Sequence, residues 1–242
     1  MRVDAPSLQR FYAGPLGQAA QRMIERRLDA LWARAEGRDM LGVGYAGPHL
    51  ARFRESARRA VAFMPAAQGA ETWPAEGAGL AVLGDETRLP FMDAMFDRVI
   101  VAHALEEAEN IAPLLREIWR VTAPEGRVVV IVANRVGLWA RADSTPFGHG
   151  RPFSRRQLAA LLTDAMFQPT ATARALYAPP VKWAARFALP IEHAGGVLWP
   201  AFGGLILMEA AKRLYAEPAA PARKKAAQRA LRPANALPRT RP

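Results

Sequence analysis

Three glycines behind a short apolar segment are the first residues in the sequence that could bind a ligand. The turn Gly42-Val-Gly44-Tyr-Ala-Gly47 begins within the apolar segment Met40–Val43 and continues beyond it. Glycine lets the backbone come close to a ligand because no side chain intervenes, and the amides of a following helix attract anions. The spacing matches the fingerprint of a nicotinamide dehydrogenase, which also needs an acid about twenty residues later. The second predicted strand ends in Phe63-Met64-Pro65, with no carboxylate before Glu71, which weakens the dehydrogenase interpretation.

Histidines are the candidate proton-transfer groups. His149 lies in a glycine-flanked loop, where its near-neutral pKa would suit a base acting on an acceptor; the alternative is a loop histidine bonded to backbone or water. His103 follows the fourth predicted strand and is interpreted equally as a wall residue or a base. His49 and His193 are expected to be structural. Four dispersed histidines have no metal-site spacing, so no metal site is predicted. The sequence also has no nucleophile-elbow motif, which argues against a catalytic triad, and no Walker-type loop.

The elements that position these residues alternate between apolar strands and amphipathic helices. Helices are predicted over the first ~35 residues, from His49 to about Arg59, after Asn110, and after a capping box at Ser154. Strands are predicted at Met40–Val43, Ala60–Met64, Gly79–Leu83, Asp97–Ala102, Arg127–Ala133, Ala173–Ala178 and Gly204–Glu209. This alternation favours a parallel sheet covered on both faces, with ligands beyond the carboxyl ends of the strands. The glycine turn, Asp85-Glu86, His103 and Asn134 are therefore expected on one rim.

Composition and charge limit the class of protein. The 242 residues are 51% hydrophobic and include no cysteine, which excludes disulfides and thiolate metal sites and fits a reducing, cytoplasmic setting. No signal peptide is recognised, and the uncharged segment Ala194–Met208 is shorter than the ~20 residues that span a bilayer. The net charge of +11 falls to +4 without residues 218–242, which hold seven basic residues and no acid. That segment is predicted to be a disordered basic tail, either simply solvated or an arm for RNA, DNA or anionic lipid.

A second series of motifs identifies a family. The glycine turn is followed, in order, by three segments: Gly84-Asp85-Glu86 with the residues up to Val99, then Leu114–Val121, then Pro124-Glu-Gly126. The series resembles the class I S-adenosylmethionine-dependent methyltransferases, in particular the small bacterial group called type 11, from about Asp39 to Asn134 and more loosely to Leu214. The resemblance implies an α/β fold with a doubly wound, Rossmann-like, seven-stranded and mostly parallel sheet. It divides the chain into a helical cap segment at 1–36, a methyltransferase-like domain at 37–217 and the tail at 218–242.

The resemblance also implies the cofactor, S-adenosylmethionine, and the residues that would hold it. Gly42, Gly44 and the Ala46-Gly47 bend would lie beneath the methionine part. Asp85 stands where the family has an acid that accepts a hydrogen bond from the adenine amino group, and the backbone of Glu86 would meet the ring edge.

Two further residues are placed by the same resemblance. His103 would lie at the lip facing cofactor and substrate, and Tyr12 of the N-terminal segment would close over the cofactor. The methyl acceptor is expected to be small or apolar, and no DNA is predicted as a partner.

The sequence departs from the family at two acids. The family has an acid two residues before the first glycine, where this chain has Met40 with Asp39 one place off, and another at the end of the second strand, where this chain has Met64. Both losses remove charge-assisted hydrogen bonds. The alternative function is therefore a non-catalytic, methyltransferase-like binding or partner module. A third is an RNA-modifying methyltransferase that uses the basic tail.

The downstream half of the sequence is rich in aromatic residues. They are interpreted as core packing, as the lining of an apolar acceptor pocket, or as a lid that faces a membrane, and they comprise Phe147, Phe153, Trp183, Phe187, Trp199 and Phe202.

Overall fold

A seven-stranded sheet forms the centre of the protein in a computed structural model that describes residues 2–32 and 35–213. The strands are β1 (Asp39–Gly44), β2 (Arg59–Pro65), β3 (Ala81–Gly84), β4 (Phe96–Ala102), β5 (Thr122–Ala133), β6 (Phe167–Ala175) and β7 (Leu205–Lys212). Their order is β3-β2-β1-β4-β5-β7-β6. β7 runs antiparallel to both of its neighbours, β5 and β6, and the other pairs of neighbouring strands are parallel. The doubly wound, mostly parallel sheet predicted from the sequence is confirmed.

The strand order reverses between β1 and β4, which pair in parallel. Met40 lies opposite Arg98, and Gly44 lies opposite Ala102. From this pair, β2 and β3 extend to one side of the sheet and β5, β7 and β6 extend to the other. The loops that leave the carboxyl ends of β1 and β4 therefore diverge. The crevice between such loops is where ligands bind in sheets of this kind.

Helices cover both faces of the sheet and bury an apolar stripe each. The six α-helices of the described chain are α1 (Ala5–Ala13), α2 (Pro15–Leu31), α3 (Gly47–Leu50), α4 (Ile111–Val121), α5 (Arg155–Asp164) and α6 (Ala188–Leu198). On one face, Leu8 of α1 and Met23 and Ile24 of α2 join the core. On the other face, Leu114 of α4 and Leu158 of α5 do so. The residues of β5 from Val128 to Ala133 are buried throughout, because both faces are covered.

Three predicted elements differ from the structure. The single helix expected over the first ~35 residues is two helices, because Gly14 and Pro15 end α1 and begin α2. The helix expected from His49 to Arg59 stops after α3 and a 3₁₀ turn at Ala51–Phe53.

The early end of α3 has a physical cause at the opposite edge of the sheet. Arg58 and Arg59 both bind the buried carboxylate of Asp39, the first residue of β1. The guanidinium of Arg58 is the main reason that the pKa of Asp39 falls to about 2. Arg59 is also the first residue of β2 and pairs with Asp39 in the sheet, so the chain has already left the helix when it reaches residue 59.

The strand expected at Ala173–Ala178 is placed too late. β6 begins at Phe167 and ends at Ala175, and its outer residues alternate between exposed and partly buried positions. Threonine and glutamine on an edge strand of this kind obscure the apolar run that strand prediction relies on. The basic tail at 218–242 lies outside the described residues, and the division at residues 36 and 37 stays a prediction. None of the described helices is long and apolar enough to cross a membrane.

Gly44 offers a direct test of how closely β1 and β4 approach. Its φ of +78° is unfavourable for other residues, and a Cβ there would overlap the carbonyl oxygen of Ala102 and lie 2.8 Å from the Cβ of Ala104. We expect Gly44→Ala to lower the free energy of unfolding by about 2–5 kcal/mol, from backbone strain plus overpacking. Urea denaturation measures this loss.

Gly37 provides the matched control, since it has a φ of +64° but open space around its Cβ position. Gly37→Ala should cost only the backbone part, about 1–2 kcal/mol. Equal losses at the two positions would contradict the close approach at Gly44.

Candidate functional site

A buried polar cluster occupies the crevice at the carboxyl ends of β1 and β4. His103 directly follows β4, with a left-handed φ of +49°, and its ring faces α1. Tyr12 of α1 meets it: the phenol oxygen lies 2.8 Å from Nε2 of His103 and 3.4 Å from Nε2 of His49. The Tyr12 ring also stacks on Tyr45, at a centroid distance of 5.8 Å. The structure thus brings together Tyr12 and His103, two residues that the resemblance assigns to the cofactor site, and adds His49 and Tyr45. Their role in binding a cofactor stays a prediction.

Three more side chains enclose this cluster. Gln68, which follows β2, donates from Nε2 to the carbonyl oxygen of His103 at 2.9 Å. The ring of Phe147 lies 4.7 Å from the His103 ring, between their centroids. Glu106 is buried, and its Oε1 accepts a hydrogen bond from the backbone N–H of Ala133 at the end of β5. Loops after β2, β4 and β5 therefore meet around one point.

The cluster contains polar atoms without partners. Among the described residues, no hydrogen-bond partner reaches Nδ1 of His49, Oε1 of Gln68 or Oε2 of Glu106, although all three atoms are buried. Buried polar atoms are normally hydrogen-bonded, and an exception calls for an explanation such as an absent ligand. An imidazole nitrogen, an amide oxygen and a carboxyl oxygen left free in one crevice form a polar binding surface.

Burial controls the charge of these groups. It lowers the pKa of His103 to about 3 and that of His49 to about 4, because the imidazolium form loses its hydration. Burial also raises the pKa of Glu106 to about 7. At neutral pH both imidazoles are uncharged, and Glu106 is the member of the cluster that titrates.

An open cavity of about 720 Å³ lies beside the cluster, at the carboxyl ends of β2 and β3. Its lining includes Pro65, the turn Gly84–Thr87 and Asn110. In that turn, Oδ1 of Asp85 accepts hydrogen bonds from the backbone N–H and the hydroxyl of Thr87, both at 2.7 Å. The backbone bond is the main reason that the pKa of Asp85 is lowered. Neither bond uses Oδ2 of Asp85, which leaves an ionised acceptor at the cavity.

The first residues of the chain fasten α1 over this edge. Arg2 forms an ion pair with Glu86 at 2.6 Å, and both side chains are largely buried. The backbone N–H of Val3 donates to Oε2 of Glu107 at 2.8 Å. The N-terminal segment thus lies between the buried cluster and solvent.

The glycine turn is covered by the chain itself. A Cβ on Gly42 would lie 2.9 Å from the Cβ of Ala46, and one on Gly47 would lie 2.9 Å from the ring of Trp73. The indole of Trp73 donates to the carbonyl oxygen of Gly47 at 3.1 Å. The predicted turn therefore borders the crevice, but its glycines accommodate protein atoms in this arrangement.

The two departures from the family pattern have structural explanations. Met40 and Met64 are buried in the core beneath the crevice, and Asp39 serves the opposite edge of the sheet. The sulfur of Met64 accepts the backbone N–H of Glu71 at 3.3 Å, and the carboxylate of Glu71 accepts the hydroxyl of Tyr45 at 3.0 Å. Glu71, seven residues beyond the strand end, is thus the carboxylate that comes next to Met64. Burial raises its pKa.

His149 lies apart from the buried cluster. It is exposed, its Nε2 lies 3.0 Å from the carbonyl oxygen of Asp143, and it borders a separate groove of about 300 Å³ with Arg10 and Phe11 of α1. The structure does not bring it to His103, and its role as a base stays a prediction. Asn134 lies at the expected rim, where its side chain donates to the carbonyl oxygens of Ala201 and Gly203.

Sequence reasoning missed Gln68 and Glu106 and interpreted His49 only as structural. Gln68 had no signal, because the connection between β2 and β3 has no regular pattern. Glu106 had one: Glu106-Glu107 closely follows the apolar strand that ends at Ala102, where the sequence already predicted a ligand edge.

Comparison with known proteins agrees with this arrangement. Residues 32–130, less than half of the chain, match the model of a methyltransferase-domain family. Over 49 residues the chain is 49% identical to the demethylmenaquinone methyltransferase of Mycobacterium marinum, a match that covers 20% of this chain and 21% of that protein. The chain thus spans about a fifth of the length of the curated relatives it matches.

Solved structures share the fold. A Thermotoga maritima methyltransferase described as a possible histamine N-methyltransferase superposes with a TM-score of 0.59 and 14% identity, covering 86% of this chain and 96% of the other. A Burkholderia thailandensis N-methyltransferase was solved with 1,6-didemethyltoxoflavin and S-adenosylhomocysteine. It superposes with a TM-score of 0.53 and 20% identity, covering 81% of this chain and 79% of the other. The fold class predicted from the sequence is confirmed, and the predicted resemblance to methyltransferases agrees with the family model that matches residues 32–130.

The buried imidazole of His49 should make stability depend on pH. Its pKa is about 4 in the folded protein and about 6.5 when unfolded, so the unfolded chain binds more protons between these values. Stability is therefore lost as pH falls through this window, by about 3 kcal/mol at pH 4 from this group. Urea denaturation between pH 7 and pH 4 should show a smaller loss for His49→Gln than for the parent chain.

His193 is exposed and serves as the control. His193→Gln should keep the parent's pH dependence. The same slope in His49→Gln would contradict a buried, neutral imidazole at position 49.

Proposed function

We propose that this chain, whose residues 32–130 belong to the methyltransferase-domain family, is an S-adenosylmethionine-dependent methyltransferase that acts on a small, apolar acceptor. The observation that supports the proposal best is the buried crevice at the carboxyl ends of β1 and β4, with three unpaired polar atoms and an open cavity next to it. The position is the topological switch point, where this type of sheet binds its ligands.

The chain's residues suit two of the three parts of this cofactor. At the adenine end, the cavity is bordered by Asp85, whose free Oδ2 could accept a hydrogen bond from an exocyclic amine. At the methionine end, Oε1 of Gln68 and Oε2 of Glu106 are unpaired acceptors for an ammonium group. At the ribose, Met64 offers no carboxylate, and Glu71 is the acid nearest to that strand end. We therefore expect ribose recognition to differ from that of relatives with an acid at this position.

Access to the crevice requires α1 to move. Tyr12 fills the space between His103, His49 and Tyr45 and is almost fully buried. Tyr12 is held by the contacts of its phenol oxygen with two imidazoles and by ring packing. The helix itself is held by the Arg2–Glu86 ion pair, the Val3–Glu107 hydrogen bond and the burial of Leu8. A cofactor whose polar groups pair with Gln68 and Glu106 would replace these contacts with stronger, charge-assisted ones.

The chemistry needs alignment more than covalent assistance. When bound, the cofactor would supply a methyl group on a sulfonium sulfur. The acceptor's nucleophile would bond to that methyl carbon in line as the carbon–sulfur bond breaks and the neutral thioether leaves, with alignment contributing most of the gain. In this chain the aromatic walls formed by Phe147, Phe11 and Trp139 would exclude water and orient the acceptor. His103, neutral because burial lowers its pKa to about 3, would hold an acceptor hydroxyl by a hydrogen bond.

The apolar character of these walls supports the acceptor class. The rings of Phe11 and Trp139 lie 6.0 and 5.7 Å from that of Phe147, between centroids. Among the similar proteins, one is named a demethylmenaquinone methyltransferase and another was solved with 1,6-didemethyltoxoflavin, so both names are consistent with a small-molecule acceptor. The RNA alternative depends on the tail at 218–242, which lies outside the described residues.

Asp85 tests the placement of the cofactor. We expect Asp85→Ala to weaken binding of S-adenosylhomocysteine by about 1–3 kcal/mol, because a charged hydrogen-bond partner of adenine is lost. Calorimetric titration of the parent and the variant gives the affinities, and thermal unfolding of the same samples reports any loss from the Thr87 turn. Asp164, exposed at the end of α5 on the opposite edge, supplies the control Asp164→Ala, which should bind like the parent.

The outcomes separate the alternatives. A lower melting temperature with unchanged affinity would mean that Asp85 only stabilises its turn. No heat from the parent chain at millimolar cofactor would favour the non-catalytic module instead.

A further inference from the structure

Large apolar side chains are exposed on one part of the surface, the connection between β6 and β7. Of the thirteen exposed large hydrophobic residues in the described chain, eight belong to this connection: Val181, Trp183, Phe187, Leu189, Val197, Leu198, Trp199 and Phe202. Trp183 is 62% exposed and Trp199 is 58% exposed. Surfaces of this kind mark a site of interaction with a partner or a membrane, whereas single exposed apolar residues do not.

The connection lies at the ligand edge of the sheet. Ala175, the last residue of β6, pairs with Leu205 of β7, which also pairs with Ala133 at the carboxyl end of β5. The loop after β5 packs against it, because Gly137 abuts Gly203 and Gly204, and this loop adds exposed Val136 and Leu138. We name residues 181–202 together with Val136 and Leu138 the apolar rim.

The charge on the apolar rim is positive. Lys182 and Arg186 are exposed beside the tryptophans. The single acid between residues 177 and 204 is Glu192. It is buried, with its carboxylate accepting the backbone N–H groups of Leu176 and Tyr177. The rim therefore presents apolar and basic groups without an exposed carboxylate.

A groove next to the rim adds an anion-binding feature. It has a volume of about 420 Å³, and its lining includes Arg27, Arg174, His193 and the paired Glu192. Nε of Arg27 and Nε of Arg174 are both shielded from solvent and have no hydrogen-bond partner among the described residues. Arg27 also pairs with Glu192 at 3.5 Å, and Nη1 of Arg174 donates to the carbonyl oxygen of Pro200 at 2.9 Å. Two guanidinium groups against one carboxylate leave the groove with net positive charge, which favours an anionic group such as the phosphate of a lipid headgroup.

We propose that the apolar rim docks on an anionic membrane surface, with Trp183 and Trp199 at the interface and the Arg27–Arg174 groove near the lipid phosphates. Aromatic rings with flanking cations are the composition of segments that lie in the plane of a bilayer. Attraction to anionic lipids acts through Lys182 and Arg186. The docked surface lies on the same side of the sheet as the crevice, because the β6–β7 connection joins strand ends next to the carboxyl end of β5. Docking would therefore hold the crevice near the bilayer from which an apolar acceptor comes.

The rim residues permit a direct binding test on the full chain. Sedimentation with vesicles of equal parts phosphatidylglycerol and phosphatidylcholine should recover the parent protein, and vesicles of phosphatidylcholine alone should recover less. The double variant Trp183→Ser, Trp199→Ser should bind about tenfold more weakly or worse, given the apolar area lost. The control Met92→Ser, Met166→Ser removes side chains that are 73% and 72% exposed at the opposite edge, and it should bind like the parent.

Fluorescence gives a second readout that a tail-mediated contact would not produce. Trp32, Trp73 and Trp139 are buried, and Trp119 lies beside Lys212 at the opposite edge. Brominated lipids should therefore quench only the emission of Trp183 and Trp199, and quenching should disappear in the double variant.

Three results would overturn the proposal. The first is an absence of vesicle binding by the parent. The second is binding that the tryptophan variant retains but that Arg223→Gln, Lys224→Gln, Lys225→Gln abolishes, which would place the lipid contact in the tail. The third is self-association without lipid that the tryptophan variant abolishes, which would make the rim an interface between copies. None of these assays contains a methyl donor, so docking and methyl transfer succeed or fail separately.

Discussion

The parallel pairing of β1 with β4 is the interaction on which the other features depend. Because Gly44 has no side chain, the end of β1 approaches Ala102 and Ala104 closely, and the loops after both strands start from neighbouring points. The reversal of strand order then sends these loops apart, which creates the crevice. Every polar group of the site reaches that crevice from a strand end, except Tyr12, which α1 supplies from outside the sheet. The site is thus a property of the sheet that the N-terminal helix closes.

Much of this arrangement was predictable from the sequence, for identifiable reasons. The strands at Met40, Asp97 and Arg127 are dense apolar segments between turn residues, and helix α5 begins at a capping box that the structure contains. Their order implied a doubly wound sheet and placed Asp85 and His103 on one edge. The family resemblance predicted that Tyr12 closes over the cofactor, which stays a prediction; the structure shows Tyr12 in contact with His103.

The remainder depends on contacts between distant residues. No local pattern near Asp39 indicates that Arg58 and Arg59 form ion pairs with it, or that the helix α3 ends before these arginines. Gln68 is in a connection without periodicity, so only the folded chain shows that it bonds to His103. The aromatic residues downstream were interpreted mainly as core. That is correct for Phe147 and Phe153, but Trp183, Phe187, Trp199 and Phe202 are exposed. A large apolar side chain is exposed when no other part of the folded chain packs over it. The local sequence around the side chain does not contain that information.

The placement of Tyr12 has a kinetic consequence. A ligand that must occupy the space between His103 and Tyr45 can enter only in the fraction of molecules whose α1 has moved away. Its apparent affinity is then reduced by that fraction, and its observed binding rate levels off at the rate of helix departure as ligand concentration rises. The contacts of Arg2, Val3 and Tyr12, together with the burial of Leu8, therefore set how often the crevice opens, independently of how well the crevice fits what enters it.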